Sequence, residues 1–372
     1  MADTHLGRYK MKFLTEKEFD KEKIISVLKN DINKFSDENS IILQDIISNF
    51  ERDDFELLTP QEIYFLENND ESIWSDYIIF RYKFKIYPKK KIVSDFPIYI
   101  LIEPVSACNL RCIMCFQIDG SFNSNKEFMG NMDLKMFKNI IDDAAKNGTK
   151  AITLASRGEP TLHPKLDEML EYCSNKFYEL KINTNATKLT EKLIHKILQS
   201  GVTDVVFSVD SYKKDDYEKI RVGGVFDTVL ENIKKFQEIR NTLYPESKCA
   251  TRVSGVRVDN KLNIKEFKEF WEKYVDHVVI VEMENRWDTY HNPLEIGSTN
   301  PCEYLWERMY VWFDGKCNPC DADYKSELNL GSIKEKSLYE IWHGEEFSQL
   351  RNQHLVNHRS QCYPCDRCPI GE

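Results

Sequence analysis

Between about residues 97 and 285, short apolar runs alternate with longer stretches in which hydrophobic positions recur at helical spacing. The apolar runs are Ile98–Ile102, Ala151–Leu154, Leu180–Ile182, Val205–Val209, Ala250–Val258 and Val278–Val281. Helices are predicted over Leu134–Lys146 behind an Asp133 cap, Lys165–Ser174, Glu191–Gln199 stopping at Gly201, Phe226–Arg240 and Ile264–Tyr274. Strands separated by helices predict βα units and a parallel sheet. Periodicity alone allows either an open α/β sheet or a barrel.

The flanks are patterned differently. Residues 1–95 are rich in charge, with helical periodicity at Lys23–Phe35 and Ile41–Phe50, an aromatic stretch at Ile78–Tyr87, and a basic run Lys89-Lys90-Lys91 that reads as a solvated linker. Beyond residue 296, Tyr310-Val-Trp-Phe313 alternates and leads into Asp314-Gly315, a strong hairpin signal. One amphipathic helix is predicted from Leu338 to about Leu355. The chain thus divides into a mainly helical N-terminal extension (1–95), an α/β core (96–295) and a small C-terminal region (296–372).

At 372 residues the chain can build two or three domains with a proper core. Its net charge of −10 argues against a sequence-independent grip on nucleic acid, which needs a basic surface. There is no run of 18 apolar residues, and Met1–Lys12 lacks an apolar signal-peptide segment, so a cytoplasmic protein without a membrane partner is expected. In that compartment eleven cysteines do not read as disulfides. Nine of them fall in two groups, three at 108–115 and six at 302–368, a distribution that points to metal; Cys173 and Cys249 read as small buried hydrophobes.

The first group, Cys108-x3-Cys112-x2-Cys115, directly follows the first apolar run. Three thiolates can share one four-iron cluster but leave one iron open, since such a cluster normally takes four cysteines. Small cysteine spacings also suit zinc, but zinc would want a fourth ligand nearby and no Cys or His lies between Cys115 and His163. The motif resembles the signature of the radical SAM superfamily, with Met114 where that family usually has an aromatic residue. The resemblance implies a partial (β/α)6 TIM-like barrel, a [4Fe-4S] cluster on Cys108, Cys112 and Cys115 whose free iron is chelated by S-adenosylmethionine, and reductive cleavage to a 5′-deoxyadenosyl radical. It also implies cofactor contacts after the later strands. Gly158, Glu159 and Pro160 look like the family's Gly-Glu-Pro turn, and Asn183-Thr184-Asn185 resembles its Thr-Asn-Gly turn with Ala186 replacing the glycine. Ser208, Asp210 and Arg221 resemble its Ser-x-Asp…Arg pattern, which contacts the methionyl carboxylate and ribose. Arg252 is a weaker candidate.

In the second group the hairpin would bring Cys302 and Cys320 together, and the chain returns at Cys362-x2-Cys365-x2-Cys368. With Leu330-Gly-Ser-Ile333 and Ser337–Trp342, the pattern resembles the SPASM/twitch domain of radical SAM enzymes, and implies one auxiliary [4Fe-4S] cluster held by Cys302, Cys320, Cys362 and Cys365. Cys317 and Cys368 are left over, and either could replace one of those ligands. Cys317-x2-Cys320 with Cys362-x2-Cys365 equally satisfies a zinc ribbon.

The resemblance therefore implies an oxidoreductase that removes a hydrogen atom from a polar small molecule, such as a sugar or amino-sugar, with net oxidation, served by a flavodoxin- or ferredoxin-type electron donor. A maturase acting on a ribosomal peptide is the neighbouring alternative, with residues 1–95 as a candidate leader-binding region. A non-enzymatic zinc protein binding a partner is the alternative from another class. Asp210, His163, Tyr324 and Asp323 could each accept a proton, and no spacing selects one.

Overall fold

The computed structural model describes residues 20–283 and 288–370; the first twelve residues, read above for targeting signals, lie outside them. The described residues form two compact units, one up to Ser94 and the other from Asp95 onward.

In the larger unit the strands, in chain order, are β1 (Tyr99–Ile102), β2 (Arg111–Cys112), β3 (Ala151–Leu154), β4 (Glu179–Thr184), β5 (Asp204–Ser208), β6 (Arg221–Val222), β7 (Ala250–Arg257), β8 (His277–Glu282), β9 (Arg308–Val311) and β10 (Cys317–Asn318). Eight of them form one sheet in the order β10-β9-β1-β3-β4-β5-β7-β8, parallel except for the β9–β10 hairpin. The sheet curves into a partial barrel with edges at β8 and β10. The six apolar runs are β1, β3, β4, β5, β7 and β8, with ends shifted by a few residues. Periodicity gave no sign that β9 would pair in parallel with β1, Tyr99 against Arg308 through Ile102 against Val311. That pairing joins the C-terminal region to the barrel sheet.

One face of each strand packs on the helices. Ile100, Ile102, Ile152, Leu154, Leu180, Ile182, Val205, Phe207 and Val253 belong to a single buried core. The helix Leu134–Lys146 shows why the sequence folds this way: Asp133 accepts hydrogen bonds from the amides of Lys135 (2.9 Å) and Met136 (3.0 Å), and Phe137, Ile140, Ile141 and Ala144 recur on one buried stripe. Burying side chains of this size contributes about 1.5–3 kcal/mol each.

The C-terminal helical stretch is two helices, Leu338–Trp342 and Glu345–Leu355, instead of one. Gly344 separates them in extended conformation, where a Cβ would crowd the Glu340 carbonyl oxygen.

The smaller unit contains helices Lys21–Asp31, Asp37–Glu51, Pro60–Glu67 and Trp74–Lys90 around its own core of Ile24, Leu28, Leu43, Ile46, Leu66, Tyr77 and Ile78. Glu62, fully buried, pairs with Arg81 (2.6 Å) and Lys85 (2.9 Å). Lys89 and Lys90 are the last helical turn and Lys91 its left-handed cap, not a loop. Cations at that end are favoured because they oppose the helix dipole.

Candidate active site

The segment after β1 carries the three cysteines at the carboxyl edge of the sheet, where α/β folds place their active sites. Cys112 lies on β2, whose antiparallel partner β6 sets Arg221 opposite it. The Arg221 guanidinium reaches the Cys112 sulfur (Nη1 to Sγ, 3.8 Å) and forms a salt bridge to Asp210 (Nε to Oδ2, 2.6 Å). Asp210 also accepts from the Val256 amide (2.8 Å), which ties this group to β7. Cys108 Sγ accepts from the Leu110 amide (3.4 Å) and the Asn185 side-chain amide (3.9 Å). Asn185 and Arg221 thus reach two of the sulfurs.

Burial pushes the Cys108 thiol up to about 11 and the Cys115 thiol up to about 12, and it raises Cys112 despite the neighbouring Arg221. Cys112 acts on Cys108, and both act on Cys115, so the three sulfurs share one environment. Three thiolates this close repel one another and need a compensating cation, which a metal centre supplies.

Gly158 and Glu159 lie directly against this loop. A Cβ on Gly158 would collide with the carbonyl oxygens of Val105 and Ala107, and the Glu159 amide donates to the Ala107 carbonyl at 2.9 Å. Only glycine permits that approach. The buried Glu159 carboxylate accepts from Thr184 Oγ1 (2.6 Å), the Asn185 amide (2.7 Å), Thr161 Oγ1 (2.7 Å) and the Thr161 amide (3.1 Å). Burial nevertheless raises its pKa, so the ionised form calls for a further positive group. Two polar atoms close by in the chain, Ser156 Oγ and Gln117 Oε1, are buried without a hydrogen-bond partner. A ligand bearing an ammonium and several donors fits these residues. Ser208, at the end of β5, is half-buried on the opposite face of that strand from the core residue Phe207.

Sequence reasoning missed the groups that fasten this loop to the C-terminal region. Arg157 and Glu103, both buried, form a two-pronged pair (2.6 Å at each prong); Arg157 also donates to the Tyr324 carbonyl (2.9 Å), and Glu103 accepts from the Phe313 amide (3.2 Å). The guanidinium stacks 4.3 Å from the Trp312 ring centroid. Phe116, next to Cys115, stacks on Tyr324 at 4.9 Å, and Asp119 pairs with Lys325 at 2.7 Å. These partners are far apart in sequence and carry no local spacing signal.

The four proton acceptors considered from sequence all have structural partners. Asp210 holds Arg221, His163 bonds the Met132 carbonyl oxygen (3.0 Å), Tyr324 donates to Asp119 (2.8 Å), and Asp323 accepts from Tyr290 (2.8 Å) and the amides of Glu327 and Leu328.

In the second cysteine group, Cys302, Cys365 and Cys368 act electrostatically on Cys320, and Cys302 and Cys368 act on Cys365. Burial drives Cys320 and Cys365 well above the ordinary thiol range. Arg359 runs beneath, donating to the carbonyls of Asn300 (2.7 Å), Cys365 (3.2 Å), Cys368 (3.0 Å) and Ile370 (2.5 Å). Cys362, which the resemblance implied as a ligand beside them, directs its sulfur to Gln353 Oε1 (3.0 Å) and the His358 carbonyl (3.5 Å). Cys317 is fully buried in the main core. Among the described residues no three Cys, His, Asp or Glu side chains converge tightly enough for a single metal ion.

The family model described as the radical SAM superfamily matches residues 102–280, and the SPASM model, an iron–sulfur cluster-binding domain, matches 302–369. The chain is 25% identical to a tungsten-containing aldehyde ferredoxin oxidoreductase cofactor-modifying protein of Pyrococcus furiosus, over 73% of this chain and 88% of that protein. It is 26% identical to the mycofactocin maturase MftC of Mycobacterium tuberculosis over 47% of this chain, but spans only 41% of that relative. Streptococcus suis SuiB bound to the precursor peptide SuiA shares the fold, with a TM-score of 0.56, 17% identity and coverage of 82% of this chain and 77% of that one.

Proposed function

We propose that this chain, which belongs to the radical SAM superfamily and ends in a SPASM iron–sulfur domain, oxidises a polar small molecule by abstracting a hydrogen atom from an unactivated C–H bond. Membership sets aside the zinc-binding interaction protein considered from sequence. A [4Fe-4S] cluster with S-adenosylmethionine, together with auxiliary iron–sulfur chemistry, belongs to the family; when bound, these supply one-electron cleavage to a 5′-deoxyadenosyl radical and a place for the substrate's second electron.

In this reading Cys108, Cys112 and Cys115 hold the first cluster. Glu159 accepts an N–H hydrogen bond from the amino group of S-adenosylmethionine, which adds a donor to the ionised form of the buried carboxylate. Gly158 and Pro160 shape the turn that brings it there. Asn185 and Arg221 donate toward two cluster sulfurs, and Asp210 aims Arg221. Ser208 offers its hydroxyl to the same ligand. Cys302, Cys320, Cys365 and Cys368 hold the auxiliary cluster, with Cys368 in the place that the resemblance gave to Cys362. An electron carrier of the flavodoxin or ferredoxin type supplies the reducing electron.

The observation that carries this reading is the three-thiol loop seated between Asn185, Arg221 and Glu159 at the carboxyl edge of the strands. The similarity to a cofactor-modifying protein over 88% of its length supports a small-molecule substrate. Likeness to MftC and SuiB supports the second reading, modification of a ribosomal peptide. Anaerobic reconstitution should give about eight irons per chain, four for each of two clusters. Dithionite with S-adenosylmethionine should yield 5′-deoxyadenosine, and a colourless protein that leaves S-adenosylmethionine intact would overturn the reading.

A further inference from the structure

On β4, β5 and β7 the core-facing residues Leu180, Ile182, Val205, Phe207 and Val253 pack on the helices. Strand alternation sets Lys181, Asn183, Ser208 and Ser254 on the opposite face, which lines the barrel interior, and each is half-buried. A closed barrel normally fills that space with branched apolar side chains. The register places Lys181 between Thr153 and Asp204, and Asn183 beside Val206.

Two of these groups lack a protein counterpart. The Asn183 Oδ1 atom is buried with no hydrogen-bond partner, a desolvated acceptor that a ligand donor would answer. Among the described residues Lys181 forms no ion pair; its ammonium lies only within 5.8 Å of the Tyr99 ring centroid. The register neighbour Asp204 takes a hydrogen bond from the Thr203 hydroxyl (2.8 Å) and, among the described residues, makes no ion pair with Lys181. On one strand face, successive side chains are about 7 Å apart. Asn183 therefore lies roughly one such step, and Lys181 two, below Asn185, whose amide reaches the Cys108 sulfur at 3.9 Å.

We propose that Lys181 and Asn183 form the floor of the substrate site and select a hydroxylated small molecule that carries an anionic oxygen group, either phosphate or carboxylate. The anion meets the Lys181 ammonium, a hydroxyl donates to Asn183 Oδ1, and the rest of the molecule rises toward the cysteine loop. This assignment rests on the small-molecule reading above and narrows it.

The test is calorimetric titration of the anaerobically reconstituted full chain with glucose 6-phosphate, glucuronate and glucose as probes. The wild type should bind one of the two anions at least tenfold more tightly than glucose, and which one distinguishes phosphate from carboxylate. Lys181→Gln should abolish the preference and Lys181→Arg restore it, with iron content and melting temperature confirming that both variants fold. Equal affinity for all three probes, no binding of either anion, or an undiminished preference in Lys181→Gln would overturn the assignment. Formation of 5′-deoxyadenosine by the wild type, measured separately, tests the radical reading and leaves the binding result to judge the floor.

Discussion

A thiol serves as a ligand only where its sulfur can turn toward the metal, and Cys362 and Cys368 differ on that point. Cys362 donates to Gln353, whereas Cys368 acts on Cys320 and Cys365. Cys368→Ala should therefore lower the reconstituted iron from about eight to about four per chain, while Cys362→Ala keeps all of it; iron analysis with electron paramagnetic resonance of the reduced protein decides. The sequence left this open because Cys362-x2-Cys365-x2-Cys368 contains two overlapping pairs of identical spacing. Glu159 poses a question of charge. Burial raises its pKa, so the ligand-free protein gains stability from the protonated form below the usual carboxylate range and loses it as pH rises toward the raised folded value. Acceptance of N–H hydrogen bonds from the ligand runs the other way and should strengthen as pH rises and the carboxylate ionises. Glu159→Gln should weaken S-adenosylmethionine binding at least tenfold and flatten that pH dependence, as read by equilibrium dialysis.

At the scale of elements, the cysteine loop is positioned by contacts that span the chain. Glu103 at the end of β1 and Arg157 after β3 are a buried pair, and removing one partner of such a pair costs about 3–5 kcal/mol because the other charge stays buried. Arg157→Met should lower the melting temperature sharply, and Glu103→Leu in the same chain should recover part of the loss; a double variant no better than the single one would refute that electrostatic origin. Nearer the surface, burial would raise the Asp119 pKa, but the Lys325 ammonium and the hydroxyls of Ser121 and Tyr324 outweigh it and hold the carboxyl below its usual range. A depressed folded pKa stabilises above the unfolded value near 4 and is lost as pH falls below it. Asp119→Asn should thus cost about 1 kcal/mol at neutral pH and nothing in acid, measured by denaturant titration at both. The strands and helices of the barrel were legible because each rests on its own period, as Phe137, Ile140, Ile141 and Ala144 show. The Glu103–Arg157 pair and the β1–β9 pairing were not, since both depend on distant residues meeting; the break at Gly344 was hidden within a continuous apolar pattern.

For the molecule as a whole, the division between the two units falls at an exposed connection. The last helix of the smaller unit ends at Lys90, Lys91 caps it in the left-handed conformation, and Ile92 and Val93 are 39% and 40% exposed before the chain becomes buried again at Ser94 and Phe96. Each unit carries its own buried core: Ile24, Leu28 and Ile78 in one, the barrel core in the other. Exposed connections between separately packed units are preferred sites of proteolysis, because a protease needs several residues of accessible, deformable backbone. Both cysteine groups, and every residue assigned above to cofactor or substrate, lie beyond residue 95. Brief trypsin treatment under anaerobic conditions should therefore cut first after Lys90 or Lys91 and release a C-terminal fragment that retains its iron and its brown colour. Iron lost in step with that cleavage would show that the helical unit helps to hold the clusters, and first cuts within 95–372 would show that the barrel is the less stable part.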